Sequence, residues 1–278
     1  MDPAILLALT AAFLWGLGDF FAKGATKISF LNYMLMSSLP VIVYSYALFE
    51  PFPFEGLPLL VITCAALGFT SFYFYDALKM DRVGIVSPLS STYVLLVVFL
   101  AVFLAREPFS PLQILGTIIA IAGIILTLLE DIPHHKTIRR ETIIQVGILF
   151  VVWGAAMFQM KYLSQIYSGE QISFSISFVF IIVSVITILW KKEKIQLSNE
   201  GGLAFLAGMG WSAGTMVYNT ALKTANISLI SSITSFYPIV ALILGILVGK
   251  ESIRTHQIIG IILTLAGIAI VYAFSLSG

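Results

Sequence analysis

Residues 77–124 read ALKMDRVGIVSPLSSTYVLLVVFLAVFLAREPFSPLQILGTIIAIAGI, and residues 221–268 read ALKTANISLISSITSFYPIVALILGILVGKESIRTHQIIGIILTLAGI. Laid over one another without a gap, about 15 of the 48 positions are identical. The matches include Lys79 with Lys223, Ser87 with Ser231, Ser91 with Ser235, Tyr93 with Tyr237, Glu107 with Glu251 and Gln113 with Gln257. Apolar coincidences follow from a biased composition. Lysine, glutamate, glutamine and tyrosine in common register do not. Upstream, at an offset of 138, Trp15-Gly16 falls on Trp153-Gly154, Phe20 on Phe158 and Lys23 on Lys161. The chain therefore reads as one unit written twice.

What is duplicated is a set of membrane spans. Of the 278 residues, 59% are hydrophobic and 10% charged, and mean hydropathy is +1.01. A soluble domain carries about 25% charged residues, so a soluble enzyme and a disordered chain are both excluded. The net charge of +1 gives nucleic acid nothing to bind. Ten apolar stretches suit helical spans of about 20 residues: 3–22, 31–49, 57–78, 83–104, 110–129, 142–161, 172–190, 202–222, 227–248 and 255–275. They are continuous rather than alternating, which argues against a β-barrel. Asp2 is the one charge ahead of the first span and no small-x-small cleavage site follows it, so that span is expected to stay rather than leave as a signal. The lone cysteine, Cys64, reads as a small buried hydrophobe.

Five spans per unit is an odd number, so the second unit enters from the opposite side. The expected fold is an all-α membrane protein of ten transmembrane helices in a 5+5 inverted-topology repeat. Residues 1–130 form the first repeat, 131–141 a cytoplasmic linker and 142–278 the second. Secondary transporters use this architecture, with a site near the midplane between halves that rock to alternate access. Loop charge sets the orientation. Twelve Lys and Arg fall on the side opposite the N terminus, Lys136, Arg139, Arg140, Lys191, Lys192 and Lys194 among them. Arg106, Lys161 and Lys223 fall on the other side. Both termini are expected outside a cell (plasma or inner) membrane that the chain crosses many times.

The repeated residues resemble the drug/metabolite transporter superfamily, in its ten-span EamA-like group. The first span of each half carries Trp-Gly and then Lys seven residues on, as Trp15, Gly16, Lys23 and Trp153, Gly154, Lys161. Both third spans end in Ala-Leu-Lys. Tyr237-Pro238, Gly249-Lys250-Glu251 and the last span from Gly260 to Gly267 also fit. The resemblance covers essentially the whole chain and implies a ten-helix carrier, commonly an exporter of amino acids or other small metabolites. Some relatives take up sugars, nucleotide sugars, choline or drugs. Members of the family are often described with cytoplasmic termini, whereas the charge count here places them outside. Asp19 and Asp76 are not part of the general family pattern.

Asp19 and Asp76 are the acids inside apolar runs, where a carboxylate by default marks a pathway, a coupling proton or a charged ligand. The plainer readings are an Asp19–Lys23 pair and an Asp76–Lys79 pair that order helix ends. Trp15, Trp153, Trp211, Tyr73, Tyr75, Tyr93, Tyr218 and Tyr237 supply aromatic surface that can hold a ring or a cation, against ordinary packing or lipid contact. Gln159 and Asn219 are amides that either touch substrate or bond between helices. Together Trp15, Asp19, Tyr73, Asp76, Trp153, Gln159, Trp211, Tyr218 and Asn219 form the expected substrate-binding set. Lys23, Lys161, Gly116, Gly123, Gly260, Gly267 and Pro238 are read as structural. The glycines, seven apart, allow spans four, five, nine and ten to pack as a scaffold. The serines at Ser87-Pro88 and Ser228 to Ser235 are expected to satisfy backbone near Pro88 and Pro238. Glu107 and Glu251 look like structural charges at span ends.

The function expected is secondary transport of a small polar metabolite by alternating access, with export of an amino acid or related amine ahead of uptake of a sugar or a quaternary amine such as choline. No Walker-type phosphate loop is present. His134, His135 and His256 lie in or near loops, so an intramembrane enzyme is disfavoured, and so is a purely structural membrane protein. No cofactor or metal is expected. The expected partners are a small-molecule substrate, protons as the coupling candidate and the lipid bilayer; the chain acts as a monomer or homodimer.

Overall fold

A computed structural model describes residues 2–41, 50–80, 83–126, 140–195, 197–249 and 255–275. Those residues are mostly helical, with no strand among them. Among the described residues five helices are long and apolar enough to cross a membrane: Pro3–Gly24, Leu57–Met80, Arg140–Ile166, Gly169–Lys191 and Ile227–Val248. Shorter apolar helices cover Leu89–Phe103, Pro111–Leu126 and Ile258–Val271. Large apolar side chains face outward, such as Ile186, Leu189 and Trp190, whose exposure reaches 82% at Trp190. Continuous exposed apolar surface on this scale is incompatible with water and suits lipid.

In chain order the helices are α1 (Pro3–Gly24), α2 (Phe30–Ser38), α3 (Leu57–Met80), α4 (Val83–Ser91), α5 (Tyr93–Phe103) and α6 (Pro111–Leu126). Then come α7 (Arg140–Ile148), a π-helical segment (Leu149–Trp153), α8 (Gly154–Ile166), α9 (Gly169–Lys191), α10 (Asn199–Leu222), α11 (Ile227–Thr234), α12 (Tyr237–Gly249) and α13 (Thr255–Ser275). The second span and the linker run into 42–49 and 127–139, outside the described residues, as do His134, His135 and Glu251.

Two expected single spans are broken. The 83–104 stretch divides at Thr92, and the 227–248 stretch at Ser235-Phe236. Pro238 explains the second break, because its ring excludes the carbonyl four residues back, and that residue, Thr234, is where α11 ends. Hydroxyls bond the carbonyls beside the break: Ser235 Oγ donates to Ser232 O at 2.6 Å, and Thr234 Oγ1 at 3.1 Å to Ser231 O, which also keeps the Ser235 N–H at 3.0 Å. At the first break Thr92 Oγ1 donates to Leu89 O at 2.7 Å. Ser87 departs from the expected backbone role, since its hydroxyl donates to Asp19.

Glycines set the closest approaches. A Cβ on Gly116 would lie 2.8 Å from Gly267 O, and one on Gly123 2.6 Å from Gly260 O, so α6 and α13 pack backbone to backbone. Thr264 Oγ1 adds a bond to Ala120 O at 3.2 Å. Gly16 sits against Tyr237 O and Val240 of α12, and Gly154 against Leu96 of α5. Each Trp-Gly pair thus rests on the broken span of the other half. Bonds at the helix ends tie spans within each half through Lys23 and Lys161, and across the halves through Glu107. Lys23 Nζ donates to Leu78 O, Lys161 Nζ to Leu222 O (2.9 Å) and Ala225 O (2.7 Å), and the Glu107 carboxylate accepts from the N–H groups of Ile227 and Ser228 at 3.0 Å each. Glu107 therefore caps the α11 N-terminus, where an acid suits the helix dipole.

Candidate functional site

A cavity opens between α1, α3, α9, α10 and the two broken spans. Water-sized molecules can centre themselves over about 140 Å³ of it. One water needs about 10–15 Å³ on that measure, so the space holds a small metabolite. Trp15 and Asp19 reach it from one face of α1, one turn apart. Trp211, Thr215 and Tyr218 reach it from one face of α10. Tyr33, Phe74, Tyr93, Trp153, Met157, Met160, Ile176, Phe180 and Tyr237 line the rest.

Asp19 is 2% exposed. Its carboxylate accepts from Trp211 Nε1 at 3.0 Å and from the Ser87 hydroxyl. Glycines permit this arrangement. A Cβ on Gly18 would lie 2.5 Å from Trp211 Nε1, and one on Gly214 2.5 Å from Trp15 Cδ1, so α1 and α10 each carry a notch for the other's indole. Trp15 Nε1 donates to Thr215 Oγ1 at 3.4 Å. Tyr237 hydroxyl donates to Ser87 O at 3.4 Å, and Tyr218 hydroxyl pairs with Ser231 Oγ at 2.8 Å.

The aromatics form a ring around the acid. Trp15 lies 5.0 Å from Tyr218 and 6.1 Å from Tyr237. Trp153 lies 5.4 Å from Tyr93 and 5.6 Å from Phe74, and Phe74 lies 6.0 Å from Trp211. The opposite wall, Met157, Met160 and Ile176, is apolar. Chemically the cavity offers one carboxylate, several electron-rich ring faces and an apolar floor.

Five of the nine expected binding residues therefore line this cavity: Trp15, Asp19, Trp153, Trp211 and Tyr218. Tyr73, Asp76, Gln159 and Asn219 stand outside it. Gln145 Nε2 donates to Asp76 Oδ2 at 2.6 Å, and Thr63 Oγ1 to Gln159 Oε1 at 2.5 Å, which fastens α3 to the α7–α8 helix at two depths. Lys79 lies over the Tyr75 ring, 4.8 Å from its centroid. Tyr73 packs on Phe69 and Phe72. Asn219 Nδ2 donates to Thr215 O at 2.8 Å. Residues that sequence reasoning left out of the site are Tyr33, Ser87, Tyr93, Thr215 and Tyr237. Tyr93 and Tyr237 carried a signal, since they are identical across the repeat offset. Tyr33 carried none.

The EamA-like transporter family model matches residues 2–129 and again residues 142–273. An uncharacterized transporter of Archaeoglobus fulgidus is 26% identical over 277 residues, covering 95% of this chain and 96% of the relative. An uncharacterized protein of Methanocaldococcus jannaschii is 29% identical over 132 residues, 45% of this chain but 96% of that protein. A solved crystal structure superposes with a TM-score of 0.77 over 98% of both chains; at 16% identity this likeness concerns the fold alone. With one family matched over both halves, the chain belongs to the EamA-like transporter family and is a multi-pass membrane transporter of small molecules.

Proposed function

We propose that the protein is a secondary carrier that exports an amino acid or related amine by alternating access, and that the Asp19 cavity holds the substrate. Asp19 carries the reading. A carboxylate at membrane depth costs about 2.5–3.5 kcal/mol on insertion scales, and the groups that touch it, Ser87 and Trp211, are neutral. A substrate ammonium or a proton supplies the missing charge, and the rings of Trp15, Trp153, Trp211 and Tyr218 supply faces for a cation. Asp76 and Gln159 act from outside by holding α3 to the α7–α8 helix, while Tyr73 packs and Asn219 bonds within its own helix. The aromatic ring also favours a second reading, uptake of a quaternary amine such as choline.

The proposal includes two inverted five-helix halves, 1–130 and 142–278, joined by a cytoplasmic linker at 131–141, with both termini outside. Three observations support it. The family model matches twice. A relative of about half the length exists as its own protein. The broken spans divide at positions that the repeat offset pairs, Thr92 and Phe236. Discontinuous helices at the midplane are a hallmark of such carriers.

Counterflow in proteoliposomes tests the function. Wild-type protein preloaded with a panel of amines and amino acids should accumulate label, and Asp19→Asn should not, while eluting as the same folded species. Undiminished counterflow by Asp19→Asn would remove the acid from the mechanism.

A further inference from the structure

A second chamber, with about 80 Å³ open to water-sized centres, adjoins the Asp19 cavity between α2, α9 and α10. The two share Tyr33, Ser71, Ile176, Phe180, Trp211 and Thr215 as walls, so a ligand in one extends into the other. The chamber's lining is rich in hydroxyls. Ser37 and Ser38 both donate to Met34 O, Ser71 donates to Leu67 O, Ser173 to Ser212 O and Ser212 to Gly208 O. Each of these hydroxyls has used its proton on a carbonyl, so the lone pairs are what it has left to offer a ligand. At the junction the Tyr33 hydroxyl, on a side chain 2% exposed, has no hydrogen-bond partner among the described residues. An orphaned hydroxyl in so buried a place is costly unless water or a ligand completes it.

The charges on the walls are one-sided. Among the described residues Asp19 is the sole acid on the walls, and no Lys, Arg, His, Asn or Gln lines either space. Two of the three lining indoles have spent their N–H, Trp15 on Thr215 and Trp211 on Asp19. A substrate carboxylate would enter with no cation to meet it, and an unpaired buried charge costs several kcal/mol. A second N–H donor would meet oxygen lone pairs.

We infer that the two spaces form one bipartite site for a cation with a second hydrogen-bond donor at its far end, such as an α,ω-diamine or amino alcohol, and that the site rejects zwitterions. This rests on the Asp19 cavity being the substrate site, and among amines and amino acids it selects the amines.

Three ligands of one chain length separate the cases: 1,5-diaminopentane, n-pentylamine and lysine, the last being the diamine with a carboxylate added. Binding to the purified full chain in nanodiscs is read by titration calorimetry. The diamine should bind at least tenfold more tightly than either of the others. Ser177 lines the chamber from α9; Ser177→Leu, which fills it, should lower diamine affinity at least tenfold more than pentylamine affinity and so erase the diamine's advantage, and Ser177→Val gives a smaller filling should the leucine variant fail to fold. Lysine binding as tightly as the diamine, or a diamine advantage untouched in a folded chamber variant, overturns the inference. Amine binding that is lost in Asp19→Asn but shows no diamine preference also overturns it, while leaving the Asp19 site standing. Absence of binding by all three removes both.

Discussion

The Trp153 indole stacks on the Tyr93 ring, centroids 5.4 Å apart and planes 12° apart. The residues that the sequence offsets pair with them, Trp15 and Tyr237, meet at 6.1 Å with planes 87° apart. Both contacts join the first span of one half to the broken span of the other, so equivalent contacts take two different geometries. The backbone differs in the same place. Trp153 ends a π-helical segment, whereas Trp15 lies within regular helix, and π turns inside helices mark sites of function.

If the halves exchange conformations between access states, stacking passes from Trp153–Tyr93 to Trp15–Tyr237. Trp153→Ala removes the stack from the state seen here, and Trp15→Ala removes it from the other. A stacked pair contributes about 0.5–1.5 kcal/mol beyond its area, enough to shift the ratio of states about two- to tenfold. Reporter cysteines near each membrane face should change their labelling rates in opposite directions in the two variants. A shift in the same direction in both would sink the exchange.

Gly18 makes the second prediction. In Gly18→Ala the new Cβ would lie 2.5 Å from Trp211 Nε1, so the indole must leave the Asp19 carboxylate. A hydrogen bond to a charged group contributes about 1.5–3 kcal/mol. Ligand affinity should fall about ten- to hundredfold with fold retained. Trp211→Phe should reproduce the loss, and Gly18→Ala should add little on top of it. Fully additive losses would mean that Gly18 acts elsewhere.

The parts of the site that could be read in the sequence share a reason. Asp19 is conspicuous because a carboxylate in an apolar run is expensive, and Trp15 and Trp153 because the repeat writes them twice. Tyr33 has no repeat signal and sits on the second span among ordinary apolar residues; only the convergence of α2 with α10 brings it to the cavity. The small-residue pattern was legible in the last span of each half, where glycines fall seven apart. The same chemistry in α1 and α10 was not, because Gly18 and Gly214 receive indoles rather than a backbone. The break at Pro238 has a local cause. That at Thr92 has no proline at its repeat position, Val94, and emerges from packing.

Orientation is open to a direct test. The proposed orientation, termini outside, rests on the twelve-to-three distribution of basic residues. With cysteine introduced at Ser277 or Lys192 in intact cells, an impermeant maleimide should label the Ser277 site and spare the Lys192 site. The reverse pattern would invert the topology.

Gly267 and Gly123 hold the α6–α13 contact. Leucine at either meets the facing backbone, not a flexible side chain; a Cβ on Gly123 already lies 2.5 Å from Thr264 N. Overpacking costs about 1–3 kcal/mol and more where backbone must move. Yield of folded protein should collapse in Gly267→Leu and Gly123→Leu, with no change of ligand preference in whatever folds. Normal yield in both would refute the scaffold role.

Lys161 and Lys23 tie the first span of each half to the end of its third. Lys161 Nζ donates to Leu222 O at 2.9 Å and Ala225 O at 2.7 Å, and Lys23 Nζ donates to Leu78 O. The offsets pair Lys23 with Lys161 and Leu78 with Leu222, so the lysine of the Trp-Gly motif and the Ala-Leu-Lys end of the third span are the two partners of one contact. A cation there also faces the negative end of the helix dipole. Lys161→Met strips Ala225 O and leaves Leu222 O to Gln165 Nε2 alone, at 3.3 Å; an unmet carbonyl costs about 1–3 kcal/mol. The melting temperature should fall by several degrees, Lys161→Arg should restore most of it, and ligand affinity per folded molecule should stay unchanged. Lys23→Met should behave alike. A Lys161→Met protein of normal stability that no longer transports would move the lysine from the scaffold into the transport pathway.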